Sequence, residues 1–147
     1  MKKILAIAST GGHNVQLALI RDALSSKGFD VIKVRTKVTV DEKDDEYYLI
    51  DEISRSNLLY APIVIQQIIK ILVETKVDVV LSTGALPGLV AIICGRIFSK
   101  KTIWVDSIAN SRKVSLSGRI AEYIAHHTFT QWADLETEKI KYYGSIL

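Results

Sequence analysis

The stretch that decides the fold is residues 3–14, Lys-Ile-Leu-Ala-Ile-Ala-Ser-Thr-Gly-Gly-His-Asn, an apolar run that ends in two glycines. The apolar run predicts a buried strand, and the periodic apolar positions that follow predict a helix. Glycine lets the backbone approach a ligand closely, and the free N–H groups at a helix start attract negative charge. The loop therefore indicates a phosphate or diphosphate site, with a plain turn without a ligand as the alternative.

His13 adds a reactive side chain to this loop. An imidazole at a helix start can act as a base or contact a phosphate, so His13 favours the ligand interpretation. The loop lacks the third glycine and the acidic residue of a dinucleotide fingerprint, and it lacks the Gly-Lys-Ser/Thr of a nucleoside-triphosphate loop. A self-sufficient nucleotide-binding enzyme is therefore the lowest-ranked hypothesis.

Composition bounds the class of protein. A chain of 147 residues with 48% hydrophobic content is the size of one domain, which we expect to cover residues 1–147. The net charge of +3 is mild and the cations are spread along the chain, which favours an anionic lipid or a phosphorylated ligand over nucleic acid. The single cysteine, Cys94, lies in an apolar run and predicts a core residue, and the lack of a disulfide framework suits the cytoplasm.

Short apolar runs alternate with longer helical patterns, which predicts an α/β, Rossmann-like fold: a largely parallel sheet with helices on both faces. We expect strands at residues 3–9, 30–35, 78–82, 102–106 and 128–131, a possible strand at 47–50, and helices at 15–27, 57–75, 86–98 and 117–125. The charged segment 41–45 predicts a solvated loop. Residues 135–147 form an apolar tail in which we expect a short helix. An apolar chain end of this kind usually packs against another surface.

Four of the predicted strands end in small or polar residues. They are Ser9 to His13, then Ser82, Thr83 and Gly84, then Asp106 and Ser107, and last Gln131 and Trp132. In a parallel sheet the carboxyl ends of all strands lie at one edge, so these residues are expected at the same edge. Ligands of open α/β sheets bind at that edge. Each has a plainer explanation alone, because serine and threonine cap helices and aspartate starts loops. Their coincidence on one edge predicts a polar cleft.

The apolar segment from Leu58 to Val73 predicts a helix with few polar faces. One side can pack on the sheet and the other requires a partner or a bilayer surface, unless this is an ordinary crossover helix with a wide buried face. Pro62, Lys70 and two glutamines interrupt the segment, which falls short of the roughly 18 to 20 apolar residues of a membrane span. We expect peripheral membrane contact here, with Lys70 and Arg55 suited to anionic headgroups.

The pair His126 and His127 does not predict a metal site. Neighbouring side chains of a strand point to opposite faces, and no Cys or carboxylate lies at ligand spacing. We expect neither a metal nor another cofactor. No paired-carboxylate or Ser-His-Asp arrangement can be assigned from the sequence either.

Six motifs, in a fixed order, give the chain a family resemblance. They are Ser-Thr-Gly-Gly-His at 9–13 with Gln-Leu at 16–17, Leu-Ser-Thr-Gly-Ala at 81–85, Val-Asp-Ser-Ile-Ala-Asn-Ser-Arg at 105–112, Leu-Ser-Gly-Arg at 116–119, Thr-Gln-Trp-Ala at 130–133 and Tyr-Gly at 143–144. In these the chain resembles, nearly end to end, the bacterial PssD, CpsF and EpsE group of polysaccharide-biosynthesis proteins. That group is similar to the membrane-recruiting subunit of the eukaryotic UDP-GlcNAc transferase that acts on dolichol-diphosphate-GlcNAc.

The resemblance implies half of a split glycosyltransferase. Members correspond to the N-terminal, acceptor-side half of a MurG-like GT-B enzyme, and a separate chain that binds the nucleotide sugar completes a heterodimer. The implied reaction is an inverting transfer from a nucleotide diphosphate sugar to an undecaprenyl-diphosphate-linked sugar, in capsule or exopolysaccharide biosynthesis at the cytoplasmic face of the plasma membrane. The chain alone is then expected to be inactive or weakly active. The alternative is a non-catalytic scaffold that recruits and stabilises the catalytic chain at the membrane.

The resemblance also implies roles for single residues. His13 is the expected catalytic base or phosphate contact, and Asp106, where relatives commonly have glutamate, is the second catalytic candidate. The expected contacts with the acceptor and its diphosphate are Ser9, Thr10, Gly11, Gly12, Asn14, Ser82, Thr83, Gly84, Arg112 and Arg119. Residues 135–147 are expected to form a tail that docks on the partner chain. The residues expected at this interface are Trp132, Tyr143, Ile146 and Leu147.

Overall fold

The computed structural model describes residues 2–9, 12–39, 42–44 and 46–146. Three expected site residues, Thr10, Gly11 and Leu147, lie outside the described part. The strands are β1 (Lys3–Ala8), β2 (Asp30–Thr36), β3 (Tyr48–Ile50), β4 (Val79–Ser82), β5 (Lys101–Val105), β6 (His127–Thr130) and β7 (Ile140–Tyr142). The α-helices are α1 (Gly12–Ser26), α2 (Ala61–Thr75), α3 (Ala85–Ile97) and α4 (Leu116–Ile124), and short 3₁₀ helices cover Arg55–Tyr60 and Ala133–Leu135.

The strands of the described chain form one seven-stranded sheet in the order β3-β2-β1-β4-β5-β6-β7. Every neighbouring pair is parallel, which confirms the expected α/β, Rossmann-like fold. The chain moves from β1 outward to β2 and β3 and then returns past β1 to β4. Open α/β sheets bind ligands at such a reversal, so the space between the ends of β1 and β4 is where a site is expected.

The alternation of side chains along β1 creates two cores. Ala6 packs with Leu17 of α1 on one face of the sheet. Leu5 and Ile7 pack with α2, α3 and α4 on the other face. Cys94 of α3 is buried in this second core, as expected, and burial raises the pKa of its thiol.

The helix α2 and the 3₁₀ turn before it form one stretch, Arg55–Thr75, which by length and composition is apolar enough to cross a membrane. This stretch is longer than the segment that the sequence predicted. Its inner row, which includes Val64, Ile68 and Leu72, is buried against the sheet as in a core helix. The α2 outer surface consists of exposed apolar residues, namely Leu58, Leu59, Tyr60, Ile63, Ile65 and Val73. The stretch therefore belongs to the core along one side and presents apolar side chains along the other.

The tail differs from the expectation of a short helix in residues 135–147. The structure has the 3₁₀ turn Ala133–Leu135 and then the strand β7. β7 pairs with β6, and Ile140 lies opposite Thr128. The free edge of β6 offers backbone hydrogen-bonding groups that a short strand can satisfy. Three residues carry too little pattern to predict this pairing from sequence, so the helix prediction is wrong.

Candidate functional site

The loops after β1 and β4 meet at the reversal of the sheet. The Thr83 hydroxyl donates to the backbone carbonyl of His13 at 2.7 Å, and the ring nitrogen Nδ1 of His13 lies 3.3 Å from the Thr83 carbonyl oxygen. Ser82 is fully buried, and its hydroxyl accepts the Gly84 N–H at 3.2 Å. Ser9 is buried as well. These hydroxyl residues therefore shape the loops from inside, and His13 is the side chain at the surface of the site.

The contact with Thr83 fixes the proton of the His13 ring. A carbonyl oxygen can only accept, so Nδ1 carries the hydrogen in the neutral ring and Nε2 keeps a free lone pair. A Cβ added to Gly84 would collide with this ring. Gly84 has a φ of 151° and Ala85 a φ of 64°, and the left-handed conformation costs an alanine about 1 kcal/mol. Strain of this kind persists where a loop must keep one shape. The missing side chain of Gly84 makes room for the imidazole.

Two helices begin at this point. α1 starts at Gly12 and α3 at Ala85, and neither has an acidic residue in its first turn. Gly12 has open space where a Cβ would be, and the side-chain oxygen Oδ1 of Asn14 is buried with no hydrogen-bond partner among the residues that the structure describes. The first N–H groups of a helix lack intrahelical acceptors and carry partial positive charge. The arrangement is suited to an anion beside His13.

Asp106, at the end of β5, is only 1% exposed and accepts four hydrogen bonds. The donors are the indole of Trp104 at 3.1 Å, the side-chain amide of Asn110 at 3.1 Å, and the backbone N–H and hydroxyl of Ser115 at 3.0 and 2.6 Å. A Cβ on Gly118 of α4 would collide with the carboxylate. With both oxygens buried and bonded, Asp106 ties the following loop to β5 and does not face the cleft.

Gln16 joins α1 to the loops after β5 and β6. Its side-chain nitrogen donates to the Ser107 hydroxyl at 3.0 Å, and its oxygen accepts from the Ile108 N–H at 3.2 Å and from Gln131 at 2.8 Å. Gln131 also donates to the carbonyl of Asp106 at 3.0 Å. Sequence reasoning gave Gln16 no role at the site, although a glutamine beside apolar helix positions is a signal, since a buried amide requires partners.

An apolar groove of about 450 Å³ lies between the 3₁₀ turn before α2 and the starts of α3 and α4. It is lined mainly by Ile53, Leu58, Leu86, Leu89, Leu116 and Ile120. A cationic pocket of about 330 Å³ adjoins it and shares Arg55 and Leu116 with it. The cationic pocket also contains Lys113 and Arg119. The apolar groove, whose lining also includes Glu52, therefore adjoins a pocket with three positive charges.

The two arginines expected at the acceptor diphosphate have different positions. Arg119 lines the cationic pocket, whereas Arg112 is exposed on the loop before α4 and is not among the residues that line it. Lys113, the next residue, lines this pocket. Sequence reasoning did not single out Lys113, because which of two adjacent cations lines a pocket depends on how the loop folds.

The tail returns to the carboxyl edge of the sheet. The Ile146 N–H donates to the side-chain oxygen of Gln131 at 3.1 Å. The indole of Trp132 donates to a backbone carbonyl at 2.7 Å. Tyr143 is 83% exposed, and its ring meets Phe129 edge to face at 5.6 Å. Trp132, Tyr143 and Ile146 therefore gather at the rim of the site, with aromatic surface facing outward.

His126 and His127 have different surroundings. The ring of His126 contacts Thr102 and Arg96, and the ring of His127 stacks with Phe129 at 6.2 Å. In the part of the chain that the structure describes, no three His, Cys, Asp or Glu side chains gather where they could hold a metal ion.

The chain matches a family model described as "Oligosaccharide biosynthesis protein Alg14 like". The match covers residues 59–146, which is more than half of the chain. No curated protein matches the chain significantly in sequence.

Several solved structures share the fold at low sequence identity. MurG from Acinetobacter baumannii is 14% identical with a TM-score of 0.76, and the match covers 97% of this chain and 45% of MurG. The UDP-GlcNAc 2-epimerase from Neisseria meningitidis is 13% identical with a TM-score of 0.74, over 98% of this chain and 47% of the epimerase. The UDP-GlcNAc 2-epimerase from Methanocaldococcus jannaschii is 16% identical with a TM-score of 0.71, and the match covers 95% of this chain and 45% of the epimerase. The chain thus has the fold of the N-terminal half of a GT-B protein and spans less than half the length of these proteins.

Proposed function

This chain belongs to the Alg14-like family of oligosaccharide biosynthesis proteins, and from that premise we propose that it is the acceptor-side subunit of a two-chain glycosyltransferase. A separate chain binds the nucleotide diphosphate sugar, and the heterodimer transfers the sugar to an undecaprenyl-diphosphate-linked sugar in capsule or exopolysaccharide biosynthesis. The observation that carries the proposal is the match of this whole chain to 45% of MurG, with its tail at the rim of the site. Within this family, we propose that the chain is related to the bacterial PssD, CpsF and EpsE group.

The groove and the cationic pocket support a lipid diphosphate as the acceptor. The apolar groove takes the first isoprene units, and Arg55, Lys113 and Arg119 take the diphosphate. An apolar groove that adjoins three cations matches a hydrocarbon chain that ends in phosphates. The attached sugar then extends toward His13 and the starts of α1 and α3, and Gly12, Asn14 and Gly84 are among the contacts that we propose for it.

His13 is the group that we propose as the base. Its Nε2 lone pair takes the proton of the acceptor hydroxyl while the hydroxyl oxygen bonds to the anomeric carbon of the donor sugar. The bond from that carbon to the nucleotide diphosphate breaks in the same step, so the configuration inverts and no covalent intermediate forms. The partner's loop and helix dipoles stabilise the charge on the leaving diphosphate. Asp106 acts as a positioning residue, because its bonds fix the loop that carries Lys113.

The remaining surfaces are assigned as follows. Trp132, Tyr143, Ile146 and Leu147 hold the partner chain. The α2 outer surface gives peripheral contact with the cytoplasmic face of the plasma membrane, since exposed apolar side chains on a helix bind the headgroup region. No cofactor is required for this reaction.

The decisive experiment is an activity assay of the purified two-chain complex. We expect no turnover with this chain alone and transfer with the complex. His13→Ala should lower kcat of the complex by roughly 10²-fold or more, with assembly unchanged. The matched control is His127→Ala, since His127 is an exposed histidine of β6.

Normal activity of the His13→Ala complex would favour the alternative, a non-catalytic scaffold that recruits and stabilises the catalytic chain. The exposed aromatic rim at Tyr143 and Trp132 is the observation that supports this alternative. Transfer by the partner alone at the rate of the complex would remove the acceptor-side role.

A further inference from the structure

Another pocket, of about 400 Å³, opens at the amino edge of the sheet, opposite the edge with His13. It is lined by Arg96, Ser99, Lys100, Lys101 and His126, and no acidic residue is among them. The ion pairs among the described residues join other side chains, so its three cations have no carboxylate partner there. We call it the amino-edge pocket.

His126 is held in one orientation inside this pocket. Its backbone N–H donates to the Thr102 hydroxyl at 3.0 Å, and its ring nitrogen Nδ1 lies 3.1 Å from the Thr102 backbone nitrogen. The Thr102 hydroxyl lies 2.9 Å from the same ring nitrogen, so backbone and side chain of Thr102 both contact the ring. Thr102 is fully buried on β5, which makes the support rigid.

Arg96 contacts the other ring nitrogen of His126. A guanidinium nitrogen of Arg96 lies 2.6 Å from Nε2, which holds one edge of the guanidinium in place. The other N–H groups of this guanidinium and the ammonium groups of Lys100 and Lys101 can donate to an oxyanion in the pocket.

Exposed apolar residues lie directly beside the pocket. Ile97 is 72% exposed, and Phe98 is exposed next to it. Ser99 has a φ of 59° and turns the chain, so that the Lys100 N–H donates to the Gly95 carbonyl at 2.8 Å. The apolar pair and the cations thus share the end of α3. α2 also ends at this edge of the sheet, and Val73 near its end is exposed.

We propose that the amino-edge pocket binds the phosphate of an anionic membrane lipid while Ile97 and Phe98 enter the headgroup region. The proposal rests on the peripheral membrane contact of the proposed function and adds the headgroup chemistry to it. Cations at the level of the phosphates and apolar side chains just below them are the arrangement that binds anionic bilayers. Contact at the end of α3 together with the α2 outer surface fixes the orientation of the chain on the bilayer.

The test is binding of the full chain to vesicles of phosphatidylcholine, with and without roughly one third phosphatidylglycerol. We expect tighter binding to the anionic vesicles. The double variant Lys100→Gln, Lys101→Gln should lose roughly tenfold in affinity for anionic vesicles and keep its affinity for neutral ones. The control, Lys27→Gln, Lys43→Gln, removes the same charge from exposed positions away from this pocket and should lose much less.

The other outcomes overturn the proposal. If both double variants lost the same affinity for anionic vesicles, binding would depend on the net charge of the chain and not on this pocket. Inorganic phosphate that shifts the His126 ring signals, with no preference for anionic vesicles, would identify a soluble phosphate ligand. The proposed function fails separately, if the reconstituted complex transfers no sugar while the preference for anionic vesicles persists.

Discussion

At the residue scale, Asp106 is a buried carboxylate that accepts four hydrogen bonds. Removing its carboxylate leaves the Trp104 indole N–H and the Ser115 N–H inside the protein without an acceptor. We expect Asp106→Ala to lower the free energy of unfolding by about 3 kcal/mol, measured by urea denaturation, because buried unpaired donors are costly. Asp134→Ala, at an exposed carboxylate, should change it by less than about 0.5 kcal/mol.

The same variant tests the catalytic role that the sequence suggested for Asp106. A complex that keeps the stability of the unmodified protein and loses turnover would place Asp106 in the chemistry. Loss of stability together with partial activity at low temperature would agree with a positioning role. The two roles give different results because a positioning residue affects turnover only through the stability of the loop that it holds.

The pH dependence of stability has a predictable sign at His126. Burial, together with the positive charges of Arg96, Lys101 and His127, lowers the pKa of His126 below its usual 6.5. Below pH 6.5 the unfolded chain therefore binds a proton that the folded chain still excludes, so this contribution to stability falls as the pH drops from 6.5 toward the folded pKa. NMR titration of the ring should show the lowered midpoint. Arg96→Gln should bring it part of the way back toward 6.5, and an unchanged midpoint would contradict the contribution assigned to Arg96.

At the element scale, α2 has two sides with separate roles. Ile68→Ala, on the inner row, should cost about 2 to 5 kcal/mol of unfolding free energy, because it leaves a cavity against the sheet. Ile63→Ser, on the α2 outer surface, should change stability by less than about 1 kcal/mol and weaken binding to neutral vesicles several-fold. Vesicle sedimentation and urea denaturation on both variants measure the two effects. Unchanged vesicle binding in Ile63→Ser would contradict membrane contact through α2.

The elements themselves were largely predictable. The strands β1, β2, β4, β5 and β6 and the four helices follow from apolar runs and helical periodicity, and their observed bounds are close to the predicted ones. β7 was not predictable, because three residues that pair with the edge of β6 carry no periodicity of their own. A strand that short forms only where a neighbouring strand supplies its partners.

At the scale of the whole molecule, the tail is the surface that we propose for binding the second chain. Tyr143 is highly exposed and contacts Phe129 only along an edge, so Tyr143→Ala should leave the stability of the chain nearly unchanged. We expect it to weaken the complex with the nucleotide-sugar-binding chain by roughly tenfold or more, since exposed aromatic residues are common anchors of interfaces. Calorimetric titration of the two purified chains measures this. Tyr48→Ala, on the far edge strand β3, is the control, and an equal loss there would argue against the tail as the interface.

The sequence by itself determined the fold class, the order of most elements and the edge at which polar residues collect. These depend on local patterns, namely apolar runs, helical periodicity and the place of glycines. Only the tertiary structure decided that Asp106 is buried, that Lys113 rather than Arg112 lines the cationic pocket, and that Gln16 joins α1 to two loops. It also brought Arg96 and His126 together from 30 residues apart. The physical reason is that burial and hydrogen bonding depend on partners distant in the chain, which local patterns do not encode.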